Sequence, residues 1–149
     1  MEYNNEMTLR FKAIKENESF VRLSVASFCA TVNPTIEEIG DIKTAVSEAI
    51  TNSIVHAYPK GQAGDVVVNV KLNKNEVYIT VSDFGVGIGD IEKARQPFFT
   101  SKPNTERSGM GFTVMEGFMD SVVVSSQLNK GVVLTMTKKL GEIQLAIGG

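Results

Sequence analysis

Apolar and polar side chains alternate at the start of the chain, where the apolar positions are Met7, Leu9, Phe11 and Ala13. Charged or hydroxyl-bearing residues occupy the positions between them. A period of two places one set of side chains on each face of a strand. The pattern therefore predicts a half-buried strand over residues 7–13.

The next segment has the periodicity of a helix. Asn17 is a candidate N-cap, and Asn33-Pro34 is expected to end the helix because proline cannot continue it. The predicted core stripe consists of Phe20, Leu23, Ala26, Ser27 and Ala30. Cys29 lies in the same apolar pattern, so we expect a buried, inert thiol at this position.

A longer helix is predicted after Pro34. Thr35 and Glu38 have the spacing of a capping box, in which each side chain bonds the backbone N–H of the other residue. Pro59 marks the end of the segment. The predicted core stripe consists of Ile39, Ile42, Val46, Ala49, Ile50, Ser53, Ile54 and Ala57.

The rest of the chain contains two hairpin patterns. Residues 66–72 and 77–81 alternate on either side of Asn73-Lys74-Asn75, which predicts two paired strands. Residues 121–126 and 132–138 predict a second pair of strands, and a helix over 112–119 precedes it. These patterns add four strands and one helix to the N-terminal elements.

Glycine and proline are frequent between residues 84 and 108. We expect a long loop there, with a short helical piece at 91–95 and a functional lid over about 91–108, because long loops inside compact domains are usually functional. The tail 141–149 is expected to be frayed. The elements lack the spacing of alternating β and α units. They predict an α+β fold, a two-layer α/β sandwich with a mixed, mainly antiparallel sheet and helices on one face.

Composition limits the class of protein. The 149 residues are 42% apolar and 21% charged, with a net charge of −2, which predicts a single domain, 1–149, without a basic face for nucleic acid. No apolar run is long enough to span a membrane and no signal peptide is apparent, so we expect a cytoplasmic protein. Cys29 and His56 are the only cysteine and histidine. A bound metal would therefore have oxygen ligands, which favours magnesium.

Two polar positions stand out before the lid. Glu48 and Asn52 are four residues apart and share one face of the long helix, although a solvated flank would also explain this pair. Asp83 ends a predicted strand and is followed by Gly85, Gly87 and Gly89. A carboxylate at this point can accept a hydrogen bond from an amino group such as that of adenine, and glycine lets the backbone approach the ring.

The segment Ser108-Gly109-Met110-Gly111-Phe112 opens a predicted helix. Free N–H groups and the positive end of the helix dipole favour an anion at such a position, so we expect a phosphate site there. Lys102 and Arg107 flank it and are candidates to neutralise phosphate charge. Neither the Walker nor the Rossmann glycine pattern is present.

Four stretches in this order, EAITNSIVHAY, DFGVGIGD, PFFTSKP and RSGMGF, resemble the motifs of the ATPase superfamily of gyrase, Hsp90, histidine kinases and MutL. The stretches SGMGFTVMEGFMD and NESFVR are most similar to the sporulation anti-sigma factors of the stage II sporulation protein AB family. The resemblance covers about residues 17–139. It implies a Bergerat-type ATP-binding fold and the activity of an ATP-dependent protein serine kinase.

The resemblance also implies residue roles. It implies that Asn52 coordinates Mg²⁺, that Glu48 polarises the attacking hydroxyl, and that Asp83 recognises the adenine amino group. It further implies that Gly87 allows close approach to adenine. The other residues that it implies at the ATP or ADP site are Gly85, Thr100, Ser101, Lys102, Arg107, Ser108, Gly109, Met110, Gly111 and Phe112.

The implied function is that of a homodimer that binds one sigma factor of the sporulation, sigma-F type when ATP is present. The family phosphorylates a serine of an anti-anti-sigma partner, which displaces the sigma factor. Arg22 matches the family's partner-contact arginine, although a solvated helix arginine would look the same in sequence. Two alternatives stay open: a stress-response anti-sigma serine kinase, and a nucleotide-gated sequestering protein without catalysis.

Overall fold

The computed structural model describes residues 4–59, 62, 64–87 and 111–141. It contains five strands, which are β1 (Asn5–Lys12), β2 (Asp65–Asn73), β3 (Glu76–Asp83), β4 (Ser121–Gln127) and β5 (Gly131–Lys139). Its α-helices are α1 (Glu18–Cys29), α2 (Ile36–Asn52) and α3 (Phe112–Phe118), and a π-helical segment, Ser53–Ala57, continues α2. Short 3₁₀ turns, Lys15–Asn17 and Ala30–Val32, flank α1.

The five strands form one sheet in the order β1-β2-β3-β5-β4. All four pairings between described strands are antiparallel, so no parallel pair is present in this part of the chain. The α+β class and the two predicted hairpins are confirmed. The sheet is antiparallel throughout the described residues, rather than mixed.

One face of the sheet carries the core. Alternate residues of β2 and β3 are buried, and they are Val66, Val68, Val70 and Leu72 with Val77, Ile79 and Val81. The helices pack against this face, where Ile42, Val46 and Ile50 of α2 are fully buried. Because the side-chain period of a strand is two, the residues between them form the open face of the sheet. The predicted alternation on β1 is confirmed, since Met7, Leu9 and Phe11 pack against this core.

The predicted core stripe of α1 is wrong. Phe20 and Leu23 are 57% and 53% exposed, and Ser27 and Ala30 are exposed as well. Of the predicted stripe only Ala26 is buried, and the observed stripe is Val21, Val25, Ala26 and Cys29. This helix has apolar side chains on two faces, and periodicity does not tell which of them meets the rest of the protein.

Asn17 does not cap α1. Its backbone is helical and its side chain donates to Lys12 O at 2.9 Å, because a 3₁₀ turn precedes the helix and removes the need for a cap at this residue. The predicted end of the segment is confirmed, since Asn33 adopts the left-handed conformation after Val32. Cys29 is fully buried as predicted, and burial raises the pKa of its thiol to about 12.

The predicted capping box of α2 is confirmed. Thr35 Oγ1 accepts from Glu38 N at 3.0 Å and Glu38 Oε1 accepts from Thr35 N at 2.7 Å. The carboxylate of Glu38 also accepts from Gly141 N at 2.9 Å, which attaches the end of β5 to the start of α2. The N-terminus of α2 is therefore fixed by the sheet as well as by its own cap.

Some predictions lie outside the described residues. These are the lid over 91–108, its helical piece at 91–95, and the tail from residue 142. Within the described residues, no helix combines the length and the apolar character that crossing a membrane requires.

Candidate nucleotide site

A cavity lies where α2 and its π-helical continuation meet the ends of β3 and β5. The side of α2 contributes Asn52 and the strands contribute Asp83. The lining residues are Ala49, Asn52, Ser53, His56, Ala57, Val81, Asp83, Gly87, Phe112, Val132 and Leu134. The walls are largely apolar, with a few polar groups that converge on one end, which is typical of a small-molecule site.

Asp83 is the central polar group of this cavity. It is 6% exposed, and three described donors reach its carboxylate. Gly85 N and Val132 N donate to Oδ1 at 3.1 and 3.2 Å, and Ser53 Oγ donates to Oδ2 at 3.2 Å. A carboxylate accepts about four hydrogen bonds. The described donors therefore leave room for one more at Oδ2, and an amino group of a ligand fits this requirement.

Burial raises the pKa of Asp83, while the hydrogen bonds from Gly85, Val132 and Ser53 oppose the rise. Burial is the larger effect because it removes water from the charged form. The carboxylate is thus held by oriented N–H and O–H groups in a poorly hydrated place. A hydrogen bond from a ligand to a carboxylate in such a place is stronger than the same bond in water.

Glycine is required where the chain leaves β3. A Cβ built on Gly85 would overlap the carbonyl oxygen of Ala57, so a side chain there would push the 84–86 segment away from the π-helical segment. Gly87 lies at the cavity and has a φ of 77°, which side chains disfavour. The close approach of the Gly87 backbone to adenine stays a prediction.

The cavity is narrow, with a water-accessible volume of about 30 Å³. A space of this size holds about one water molecule and is too small for a purine ring. A purine ring therefore needs more room than this cavity offers. Phe112, which is 2% exposed, forms one of its walls and lies at the first position of the short helix α3.

Glu48 and Asn52 are one helical turn apart, but they line different cavities. Asn52 is 8% exposed, and its Oδ1 is a buried acceptor at the wall of the narrow cavity. Glu48 is half-buried and lines a second, open cavity of about 420 Å³ between α1 and α2. Gly111 lies against Glu48, because a Cβ built on Gly111 would overlap Glu48 Oε2. The two cavities therefore meet near the start of α3.

Arg22 lines the second cavity together with Gly40, Lys43, Thr44, Ser47 and Glu48. Its guanidinium donates to both carboxylate oxygens of Glu18, at 2.8 and 3.0 Å, and to Ser19 Oγ at 3.1 Å. Ser47 Oγ of α2 donates to the same carboxylate. Arg22 is therefore oriented by its neighbours, with 31% of its side chain exposed.

Seven of the predicted nucleotide-site residues lie outside the described residues, and they are Thr100, Ser101, Lys102, Arg107, Ser108, Gly109 and Met110. The described part of the predicted phosphate site consists of Gly111, which has a φ of 75°, and Phe112, at which α3 begins. Among the described residues, no group of three or more His, Cys, Asp and Glu side chains is arranged to hold a metal. Magnesium needs no such group when phosphates and water supply the other ligands, so the single amide oxygen of Asn52 fits this ion.

Sequence reasoning missed several residues of the cavity. Ser53 was predicted as core, yet its hydroxyl donates to Asp83. His56 was not predicted as a site residue, and it is 8% exposed at the cavity wall. Val132 contributes a backbone N–H, which no side-chain pattern reveals. The spacing of Ser53 next to Asn52 on the predicted helix was the only available signal for these contacts.

Comparison with known proteins shows the family of the chain. The sequence profile of the histidine kinase-like ATPase domain matches residues 11–138. The chain is 51% identical over 138 residues to the anti-sigma F factor of Bacillus subtilis strain 168, covering 93% of this chain and 94% of that protein. The chain belongs to the anti-sigma F factor family.

Other members of the anti-sigma F factor family are equally similar. The protein of Geobacillus stearothermophilus is 54% identical, covering 94% of this chain and 96% of that protein. The protein of Clostridium perfringens strain SM101 is 53% identical, covering 92% of this chain and 98% of that protein. The match thus extends over nearly the whole length of each protein.

Solved structures share the fold at low identity. The RsbU and RsbW domains of a Mycobacterium tuberculosis protein superpose with a TM-score of 0.66 at 18% identity, covering 92% of this chain and about a third, 33%, of that longer chain. The catalytic domain of the histidine kinase ThkA superposes with a TM-score of 0.57 at 17% identity, covering 90% of this chain and 96% of that chain. The described residues therefore have the fold of a histidine kinase-like ATPase domain.

Proposed function

We propose that this protein is an anti-sigma factor that sequesters a sporulation sigma factor of the sigma-F type in its ATP-bound state, and that it phosphorylates a serine of an anti-anti-sigma partner. The observation that carries the proposal is the identity of 51–54% to anti-sigma F factors over more than nine-tenths of the chain. The buried carboxylate of Asp83 in a largely apolar cavity supports nucleotide binding. We expect the protein to act in the cytoplasm.

Nucleotide recognition depends on Asp83 in this proposal. Its Oδ2 accepts one hydrogen bond from the amino group of adenine and another from the hydroxyl of Ser53. The backbone of Gly87 lies against the ring. Asn52, one helical turn from Glu48, reaches toward the phosphates. Phe112 forms a wall of the narrow cavity and is expected to contact the nucleotide.

Asn52 would hold Mg²⁺ through its amide oxygen. The ion would supply charge neutralisation on the phosphate oxygens. The remaining oxygens of an octahedral set come from phosphate and water, so no further acidic ligand is required. The residues proposed to surround the triphosphate are Thr100, Ser101, Lys102, Arg107, Ser108, Gly109, Met110 and Gly111.

Glu48 acts as the general base. Phosphoryl transfer needs a group that orients the attacking hydroxyl and accepts its proton. Glu48 is half-buried and lines the open cavity between α1 and α2, from which a serine of another protein has access. Gly111 lies against its carboxylate, and the next residue, Phe112, lines the narrow cavity. The acceptor and the nucleotide thus approach Glu48 from different sides.

Arg22 contacts the protein partners. Two cationic side chains, Arg22 and Lys43, border the same open cavity as Glu48. A partner with a carboxylate at this point gains a charge-assisted hydrogen bond from a guanidinium that is already oriented by Glu18. The proposed base and the proposed partner contact therefore lie on one surface.

The proposed homodimer forms through β1 and α1. Met7, Phe20, Leu23 and Phe28 are among the residues that line an apolar groove of about 590 Å³ there, and Phe20 and Leu23 are more than half exposed. β1 is an edge strand, paired on one side with β2 in the described sheet. A second copy covers the groove and the edge together, which is a common reason for association.

A mass measurement tests the oligomeric state. Leu23→Asp is expected to convert a dimer into a monomer at micromolar concentration in the presence of ADP. Val123→Asp is the matched control, because Val123 is 61% exposed on the opposite edge strand. A parent protein that is monomeric with ADP or ATP would refute the dimer.

The transfer reaction is tested with purified proteins. The chain is incubated with Mg-ATP and the candidate anti-anti-sigma protein, and the intact mass of that protein is measured. The proposal requires the mass of one phosphoryl group on a serine, together with ATP-dependent capture of sigma F in a pull-down. Capture without transfer would favour a sequestering protein, and capture of a stress-response sigma factor instead of sigma F would favour the other kinase.

A further inference from the structure

Tyr58 lies outside the nucleotide cavity, but its hydroxyl joins two segments that border the cavity. The hydroxyl donates to Asp65 O, at the start of β2, at 2.6 Å. It accepts from Phe84 N, immediately after β3, at 2.9 Å. Tyr58 itself follows the π-helical segment directly. One phenol therefore connects the end of α2, the start of β2 and the exit of β3.

Asp83, whose carboxylate is proposed to bind the amino group of adenine, is the last residue of β3 and directly precedes Phe84. Gly85 N donates to Asp83 Oδ1, Val86 N donates to Ala57 O at 2.8 Å, and Val86 O accepts from Asn129 N at 2.8 Å. The two Val86 bonds join backbone to backbone, whereas Phe84 N donates to the side chain of Tyr58, which fixes the residue next to Asp83. A change in the position of Phe84 moves Gly85, and with it a donor to Asp83.

The ring of Tyr58 is held in turn by Gly64. A Cβ built on Gly64 would overlap the ring atoms Cε1 and Cζ. Gly64 O accepts from Ala13 N at 2.9 Å, so its backbone is fixed to the segment after β1 and cannot move away easily. A methyl group at position 64 must therefore displace the phenol and its hydroxyl.

We propose that Tyr58 is a positioning residue for nucleobase selectivity, which acts by holding Phe84 and thereby the orientation of the Asp83 carboxylate. The proposal rests on the proposed role of Asp83 as the acceptor for the adenine amino group. Tyr58 is not a lining residue of the nucleotide cavity. Its effect on binding is therefore indirect and specific to the amino group of the base.

The test compares two ligands that differ only in that amino group, ADP and purine riboside 5′-diphosphate. Calorimetry measures both affinities for the full chain, its Tyr58→Phe variant and Tyr78→Phe, in which the tyrosine hydroxyl is removed from β3 instead. Tyr58→Phe is expected to weaken ADP binding by about 3- to 10-fold, the range of one hydrogen bond, and to leave the affinity for the purine analogue within about 2-fold. Tyr78→Phe is expected to preserve the preference for ADP.

Gly64→Ala is the second variant, because it keeps the tyrosine hydroxyl but moves it. It is expected to reduce the preference for ADP in the same direction as Tyr58→Phe. Equal weakening of both ligands by Tyr58→Phe would identify a general loss of structure and overturn the proposal. An unchanged ADP affinity would overturn it as well.

The same two ligands also test whether Asp83 binds the amino group at all. If the parent chain and Asp83→Asn bind the two ligands with the same ratio, Asp83 does not read the amino group and both proposals fall. If Asp83→Asn removes the preference and Tyr58→Phe retains it, the role of Asp83 stands and the positioning role of Tyr58 is rejected.

Discussion

The two ends of the candidate site, which we propose to hold the base and the phosphates, are built differently. At the base end, Asp83 accepts from the backbone of a loop, from the backbone of β5 and from a side chain of the π-helical segment. At the proposed phosphate end, Glu48 and Asn52 line different cavities, and Gly111 lies against Glu48. The proposed base site is thus part of the packed sheet and helix. The proposed transfer chemistry would require two surfaces to be brought together.

The largest effect that this comparison predicts is on transfer. Glu48→Gln is expected to lower the rate of serine phosphorylation by about 10²- to 10⁴-fold, because general-base assistance is lost. ADP affinity, measured by calorimetry, should change little, since Asp83 is not affected. Glu37→Gln on the exposed first turn of α2 is the matched control. A transfer rate within tenfold of the parent would show that Glu48 is not the base.

The next effect is on binding. Asp83→Asn is expected to weaken the binding of ADP by about 10- to 100-fold, the range for a hydrogen bond to a charged group. Asp41→Asn is the control, because Asp41 pairs with Lys138 at 3.5 Å and is not a lining residue of the nucleotide cavity. Retention of parent affinity in Asp83→Asn would mean that the base end does not depend on the carboxylate.

Gly111→Ala tests whether the two ends meet at Glu48. The added methyl group is expected to lower the melting temperature, both through the left-handed backbone and through overlap with Glu48 Oε2. In a Glu48→Ala background only the backbone strain remains. The loss in free energy of unfolding caused by Gly111→Ala should then be smaller by about 0.5–3 kcal/mol, the usual coupling between residues in contact. Equal losses in both backgrounds would exclude the contact as a cause.

The smallest effect is on pH dependence. Because burial raises the pKa of Asp83 above its ordinary value of 3.8, its contribution to stability is complete below that value. The contribution is lost as the pH rises through the raised pKa. ADP binding should show the opposite trend and strengthen over the same window, since the ionised carboxylate is the acceptor. Asp83→Asn should flatten both profiles, and a parent profile that matches this variant would contradict the assignment.

The predictions from sequence succeeded where one residue or one period determines the local structure. The capping box of Thr35 and Glu38 and the alternation of β2 and β3 are confirmed. The core face of α1 was wrong because Phe20 and Leu23 are as apolar as Val21 and Val25, and the choice between the faces depends on what packs against them. Ser53 and Tyr58 were missed as site residues, since their bonds to Asp83 and Phe84 join positions 30 and 26 residues apart.

The sequence by itself determined the order of strands and helices, the capped start of α2 and the candidate residues Glu48, Asn52 and Asp83. Local periodicity, caps and glycine positions are properties of short segments, and short segments are visible in a sequence. Only the tertiary structure decided which donors surround Asp83, that Glu48 lies on a separate cavity, and that Tyr58 holds the exit of β3. These are contacts between distant segments, and they form only when the helices pack on the sheet.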